Sequence, residues 1–157
     1  MRHKGQRRSP VDAGDRSVQL ERLLARIVDD ADRYLACGRG WYGLLAELEE
    51  RIAVADPDCR LFCVGELDGR LHIEVAQVNT TGAAAIRAAV VSAERRAART
   101  CEFSGEPGII MERNGMFRVL NPSASPQGYR VVIANELSAD VRHLLTIIEQ
   151  LVENQQY

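Results

Sequence analysis

The stretch IIMERNGMFRVL, residues 109–120, decides how this chain must be read. Two runs of five residues flank Asn114-Gly115, the pair that a two-residue type I′ turn favours because both central residues need positive φ. The segment is therefore expected to be a tight β-hairpin. Upstream, CRLFCVGELDGRLHIEVAQV (residues 59–78) repeats the device around Asp68-Gly69. That turn fixes a register in which Leu67 faces Arg70, Val64 faces Ile73 and Phe62 faces Val75. Side chains alternate across a strand, so Phe62, Val64, Leu71, Ile73 and Val75 are expected on one core face. Cys59, Leu61, Cys63, His72 and Glu74 share the other.

Helical patterns surround the hairpins. In residues 17–36, Val18, Leu23, Leu24, Ile27, Val28, Ala31 and Leu35 recur at helical spacing behind Ser17 as N-cap, and Gly38 and Gly40 end the run. In residues 41–53, Trp41, Leu44, Leu45, Leu48 and Ile52 make one apolar face, with Glu47, Glu49, Glu50 and Arg51 expected in water. Residues 80–100 are alanine-rich, with Thr80 or Thr81 as cap and Ile86, Ala89, Val90, Ala93 and Ala97 as inner stripe. After the second hairpin come a loop from Asn121 to Gly128, a strand over 129–134, and a helix near 139–154. Val141, Leu144, Leu145, Ile148, Leu151 and Val152 give that last helix an apolar stripe suited to the protein's own core or to a homodimer. The expectation is one α+β domain over 17–157, its hairpins joined in one antiparallel sheet against three or four helices. Residues 1–16 read as a flexible basic tail.

Composition narrows the function. The chain has 157 residues, 46% hydrophobic and 27% charged, with a net charge of −2. Such a balance gives no global attraction to nucleic acid or anionic membrane. No apolar run is long enough to cross a bilayer, and no apolar core follows the basic start as a secretory signal requires. Cys37, Cys59, Cys63 and Cys101 do not make a disulfide framework, which suggests a cytoplasmic protein with reduced thiols.

Several motifs align with a family of small bacterial proteins found in mobile and strain-variable regions. Its members have a Gly-Trp helix start, a KEKFG-like hairpin and a CxxCGxPG zinc-ribbon-like segment followed by a second ligand pair. This chain resembles them over residues 38–125. Gly40-Trp41 matches the first element, and Glu66, Gly69 and Leu71 remain from the hairpin motif. CEFSGEPG keeps Cys101, Gly105, Pro107 and Gly108 but has Ser104 at the second cysteine. NGMFRVLNPSA keeps Gly115, Arg118 and Leu120, with Asn121 and Ala124 where later ligands would stand. The resemblance implies an α+β fold with a degenerate ribbon over 101–128 and supplies no activity. Zinc needs four S or N ligands, and the ribbon offers Cys101 alone, so no metal and no cofactor is expected there. Ile109, Ile110, Met111, Met116, Phe117 and Val119 are expected to replace it by packing.

No catalytic set stands out. CGRGW is too short for a phosphate-binding loop, and the adjacent acids Asp29-Asp30 and Glu49-Glu50 cannot share a helix face. The face with Cys59, Cys63, His72 and Glu74 could hold a metal or pair a thiol with an imidazole, although a strand cysteine also serves as a small hydrophobe. The leading expectation is a non-enzymatic protein-binding module, of immunity or inhibitor type, that occludes a toxin or phage-related protein. Asn121, Ser123, Ser125, Gln127, Tyr129, Arg113 and Arg118 are its candidate contacts. A nucleic-acid-binding regulator is the alternative, with Arg113, Arg118 and Arg130 beside Phe117 and Tyr129. A small Cys/His enzyme is the third.

Overall fold

The computed structural model describes residues 13–28 and 35–132. The expected helix over 139–154, the end of the strand over 129–134 and most of the basic tail lie outside them. A 3₁₀ turn at Gly14–Arg16 leads into α1 (Ser17–Ala25). A second 3₁₀ turn, Arg39–Trp41, opens α2 (Tyr42–Ala55). The hairpin β1 (Arg60–Leu67) and β2 (Arg70–Gln77) follows, then α3 (Ala83–Ala97). A second hairpin, β3 (Ile109–Arg113) and β4 (Met116–Leu120), precedes β5 (Arg130–Val131). The architecture is α+β, as the sequence leads one to expect.

Both turns form as their residue pairs dictate. Asp68 and Gly69 have φ of 49° and 78°, and Asn114 and Gly115 have 54° and 79°. Each is reinforced by a glutamate three residues before the glycine. Glu66 accepts a hydrogen bond from the Gly69 N–H at 2.6 Å, and Glu112 accepts one from Gly115 at 2.6 Å.

The two hairpins do not join in one sheet. β1 and β2 form one, and β4-β3-β5 form another. The reason lies at the edges. Ile27 and Ala36 bridge in parallel to Leu61 and Gly65, so β1 already has neighbours on its outer side. β3 is flanked on both sides by β4 and β5. On β2, the Ile73 N–H donates to the Glu94 carboxylate of α3 at 3.2 Å. The hairpins meet instead by the turn of one against a face of the other. A Cβ on Gly69 would lie 2.8 Å from the Ile110 side chain and 2.9 Å from Phe117.

The first hairpin departs from the simple register at one point. Leu67 faces Arg70 and Val64 faces Ile73 as expected, but Leu61 rather than Phe62 faces Val75. Phe62 is an extra residue in a β-bulge, which inverts the facing of everything before it. Phe62 is consequently 49% exposed, whereas Leu61 and Cys59, expected on the outer face, are buried.

The core joins α1, α2, α3 and the inner face of the first hairpin. Trp41, Leu44, Leu45, Leu48 and Ile52 of α2 are buried, and so is the whole expected stripe of α3. Several expectations about the helices fail, the first at Ser17, which is the first residue of α1 and not its N-cap. α1 ends at Ala25, because Ile27 leaves the helix to lie beside Leu61, where the Val28 N–H and Leu61 carbonyl bond at 2.9 Å. Glu49 is only 2% exposed rather than in water. Its partner is Arg26, whose Nε and Nη2 reach the carboxylate at 2.6 and 3.0 Å. The same guanidinium donates to the Pro57 and Cys59 carbonyls at 2.8 and 3.1 Å. Burial opposes the charge on Arg26, but the hydrogen bond and charge of Glu49 outweigh it and hold its pKa above the ordinary value.

At α3, neither Thr80 nor Thr81 supplies the cap. Gly82 is the N-cap, and its N–H is taken by the Asn79 side chain at 2.6 Å.

Candidate functional site

The segment Cys37-Gly38-Arg39-Gly40-Trp41 docks on Thr100-Cys101-Glu102, and this contact organises everything around it. The Trp41 indole N–H donates to the Thr100 carbonyl at 2.8 Å, and its ring is fully buried. Gly40 N–H donates to the Glu102 carbonyl at 2.7 Å. A Cβ on Gly40 would fall 2.1 Å from the Cys101 carbonyl oxygen, and one on Gly38 would fall 2.5 Å from that of Glu102. Both glycines are thus needed for backbone-to-backbone approach. Glu102, 2% exposed, ties the contact together. One oxygen accepts from the Gly38 N–H at 2.9 Å and the other from Arg118 at 2.6 Å.

Residues 101–108 make a tight knuckle around Cys101. Gly105 N–H bonds the Cys101 carbonyl at 2.9 Å, Cys101 N–H bonds the Glu106 carbonyl at 2.7 Å, and Gly105 has a φ of 78°. Burial disfavours ionisation of the Cys101 thiol. Hydrogen bonds from the Ser104 hydroxyl and from the backbone of Ser104, Asn121 and Phe103 outweigh it, so its pKa falls below the ordinary value. Ser104 and Asn121 therefore both serve the sulfur directly. The apolar side chains of this segment, expected to pack in place of a metal, are only partly buried. Met111 and Leu120 pack with Cys101 in a small cluster, and Val119 joins the main core, while Ile109, Met116 and Phe117 are exposed. Glu102 adds a buried polar tie at this end, accepting from Gly38 and Arg118.

The ribbon arginines are engaged within the chain. Arg118 binds Glu102 and lies 5.5 Å from the Phe103 ring centroid. Arg130 binds Glu112 at 2.8 Å. Arg113 donates to the Gln127 carbonyl at 3.3 Å and covers the Tyr129 ring at 4.6 Å. The Asn121 side chain accepts from the Ser123 N–H at 2.9 Å, shaping the loop in which Ser123 and Gln127 are exposed and Ser125 half-buried.

A larger feature lies on the other side of the knuckle. A cleft of about 530 Å³ runs between α2, the end of α3 and the Ser104-Gly105-Glu106 turn. Arg16, Arg39, Arg96 and Arg99 line it, against Glu47 and Glu106. Arg96 pairs with Glu47, and that hydrogen bond is the main reason the Glu47 carboxyl lies below its usual range. Among the described residues, Arg39 and Arg99 have no carboxylate within ion-pair distance. None of the contact residues singled out in the sequence lines this cleft. Arg96 and Arg99 stand together at the end of α3, but Arg39 and Arg16 reach the cleft from distant parts of the chain, so no local pattern marks it.

The third site is the outer face of the first hairpin. Cys63 lies opposite Glu74, as expected, and His72 opposite Gly65. The ligand atoms of Cys63, His72 and Glu74 lie within 4.8 Å of one another. Cys59 is not with them. The bulge turns it inward, where its sulfur faces the Arg60 carbonyl at 3.9 Å. Burial is also the main cause that raises the Cys59 pKa, and it pushes the Cys37 thiol up to about 12.

No family model, curated protein or solved structure matches this chain.

Proposed function

We propose that the chain is a non-enzymatic protein-binding module of immunity or inhibitor type, and that it takes an acidic segment of a toxin or phage-related protein into the arginine cleft. The observation that carries this reading is the pair Arg39 and Arg99, cationic, exposed and without acidic partners among the described residues, in a cleft of about 530 Å³. Charge complementarity of this kind steers association and rejects like-charged competitors. The resemblance to strain-variable bacterial proteins supports the immunity or inhibitor role. Among the described residues no helix is long and apolar enough to cross a membrane.

The test is affinity capture from host lysate with the wild-type chain and with Arg39→Glu/Arg99→Glu. One stoichiometric protein is expected with the first and not with the second. Capture unaffected by the double substitution, or of no protein at all, contradicts the reading.

The same cleft favours a nucleic-acid reading second, because unpaired arginines also suit phosphates. The ribbon arginines do not strengthen it, since each already has a partner. Binding to single-stranded DNA or RNA with a steep log–log salt slope, reduced by about 1 for each arginine lost, would replace the first reading with this one.

A further inference from the structure

We infer that Cys63, His72 and Glu74 form a mononuclear site for a borderline divalent transition metal such as zinc, with three protein ligands and a fourth position open to solvent.

Cys63 and Glu74 are a directly opposed pair, and His72 is two residues from Glu74 on the same strand, so all three project from one face. Two paired strands hold them without help from a loop. Their ligand atoms lie within 4.8 Å of one another. Tetrahedral zinc ligands, at bond lengths of about 2.0–2.3 Å, stand roughly 3.3–3.8 Å apart. Reaching that spacing from at most 4.8 Å asks for about 1–1.5 Å of movement between ligand atoms. The donor set also suits the ion: thiolate, imidazole and carboxylate are all zinc ligands, and the thiolate discriminates against magnesium and calcium.

A second observation supplies the open position. A cleft of about 240 Å³ lies beside the cluster, lined by Cys63, His72, Gly65 and Ala36. Gly65 is the residue opposite His72 and has no side chain to fill the space. A Cβ there would lie 2.8 Å from that of Ala36. The missing side chain lets Ala36 approach β1, and the cleft opens beside Ala36 and His72. A water molecule there completes four-coordination. Binding exchanges one proton: the Cys63 thiol loses H⁺ to solvent as the sulfur–metal bond forms, and no oxidation state changes. This site is separate from the arginine cleft and does not depend on what occupies it.

The test is titration of the metal-depleted full chain with Co²⁺, then displacement by Zn²⁺. One equivalent is expected, with a thiolate-to-cobalt charge-transfer band and visible transitions of tetrahedral intensity. Cys63→Ser should abolish the charge-transfer band, and Glu74→Gln, at an exposed position, should weaken binding without disturbing the fold. Cys101→Ser should leave the titration unchanged. Absence of the band in the wild-type chain, its persistence in Cys63→Ser, or its loss in Cys101→Ser would each overturn the assignment.

Discussion

Replacing Glu102 with alanine should undock the ribbon from the helical core. The carboxylate is 2% exposed and accepts two hydrogen bonds, from the Gly38 N–H at 2.9 Å and from Arg118 at 2.6 Å. Alanine leaves the guanidinium without its acid and the amide without its acceptor. An orphaned amide costs about 1–3 kcal/mol, and breaking a buried ion pair costs about 3–5 kcal/mol. Arg118 is 29% exposed, so water recovers part of the second cost. A net loss of about 3–4 kcal/mol is expected, against a total stability of order 5–15 kcal/mol for a domain. For a chain of this size that lowers Tm by about 6–16 °C. Glu102→Gln, which keeps one acceptor, should fall between wild type and alanine. Thermal unfolding followed by the single tryptophan reads the event where it happens, because Trp41 is itself bonded to Thr100 in the docked segment. A loss below about 1 kcal/mol for Glu102→Ala, measured by denaturant unfolding, would refute the view that Glu102 holds this contact.

The Arg26–Glu49 pair gives a second test. Arg26→Met or Glu49→Leu alone should cost about 3–5 kcal/mol, and the double variant should recover part of that, since an apolar pair avoids the desolvation penalty while the Pro57 and Cys59 carbonyls still lose their donor; strictly additive losses would contradict it. Thiol titration by ultraviolet absorbance should place Cys101 before Cys59 and Cys37, the last near pH 12. The signs oppose each other in stability. The depressed Cys101 pKa contributes stability present above its unfolded value and lost as pH falls through the folded one. The raised Cys37 pKa contributes stability present below its unfolded value and lost as pH rises toward about 12. A Cys37→Ala chain should therefore show a shallower alkaline decline in stability than wild type.

Local signals carried far in this chain. Asp68-Gly69 and Asn114-Gly115 determine their own turns, and the stripes of α2 and α3 were readable because burial there follows a single helical face. What escaped was set by distant partners. The bulge at Phe62 is hidden because Phe62, Val64 and Gly65 still read as an ordinary strand, and only packing decides that Leu61 takes the core position. Glu49 resembles its neighbours Glu47 and Glu50, and nothing near it announces Arg26. The helical periodicity through Ile27 and Val28 was genuine as a pattern, yet pairing beside Leu61 overrode it. CGRGW is too short for a phosphate loop, and nothing in it announces that its glycines serve close approach to Cys101 and Glu102. At the candidate sites the outcome was mixed for the same reason. Register placed Cys63, His72 and Glu74 together, whereas the arginine cleft joins positions 16, 39, 96 and 99 that no spacing rule connects.

Under the proposed function the arginine cleft receives an acidic protein segment. A photo-crosslinking residue placed at Glu106, exposed on the cleft wall, tests it in host cells against a control placed at Ser123. Mass spectrometry of the adducts should find peptides of one protein, rich in Asp and Glu, joined at position 106 and absent when Arg39 and Arg99 are reversed to glutamate. Nucleotide adducts at position 106, or protein adducts indifferent to the two arginines, would contradict it.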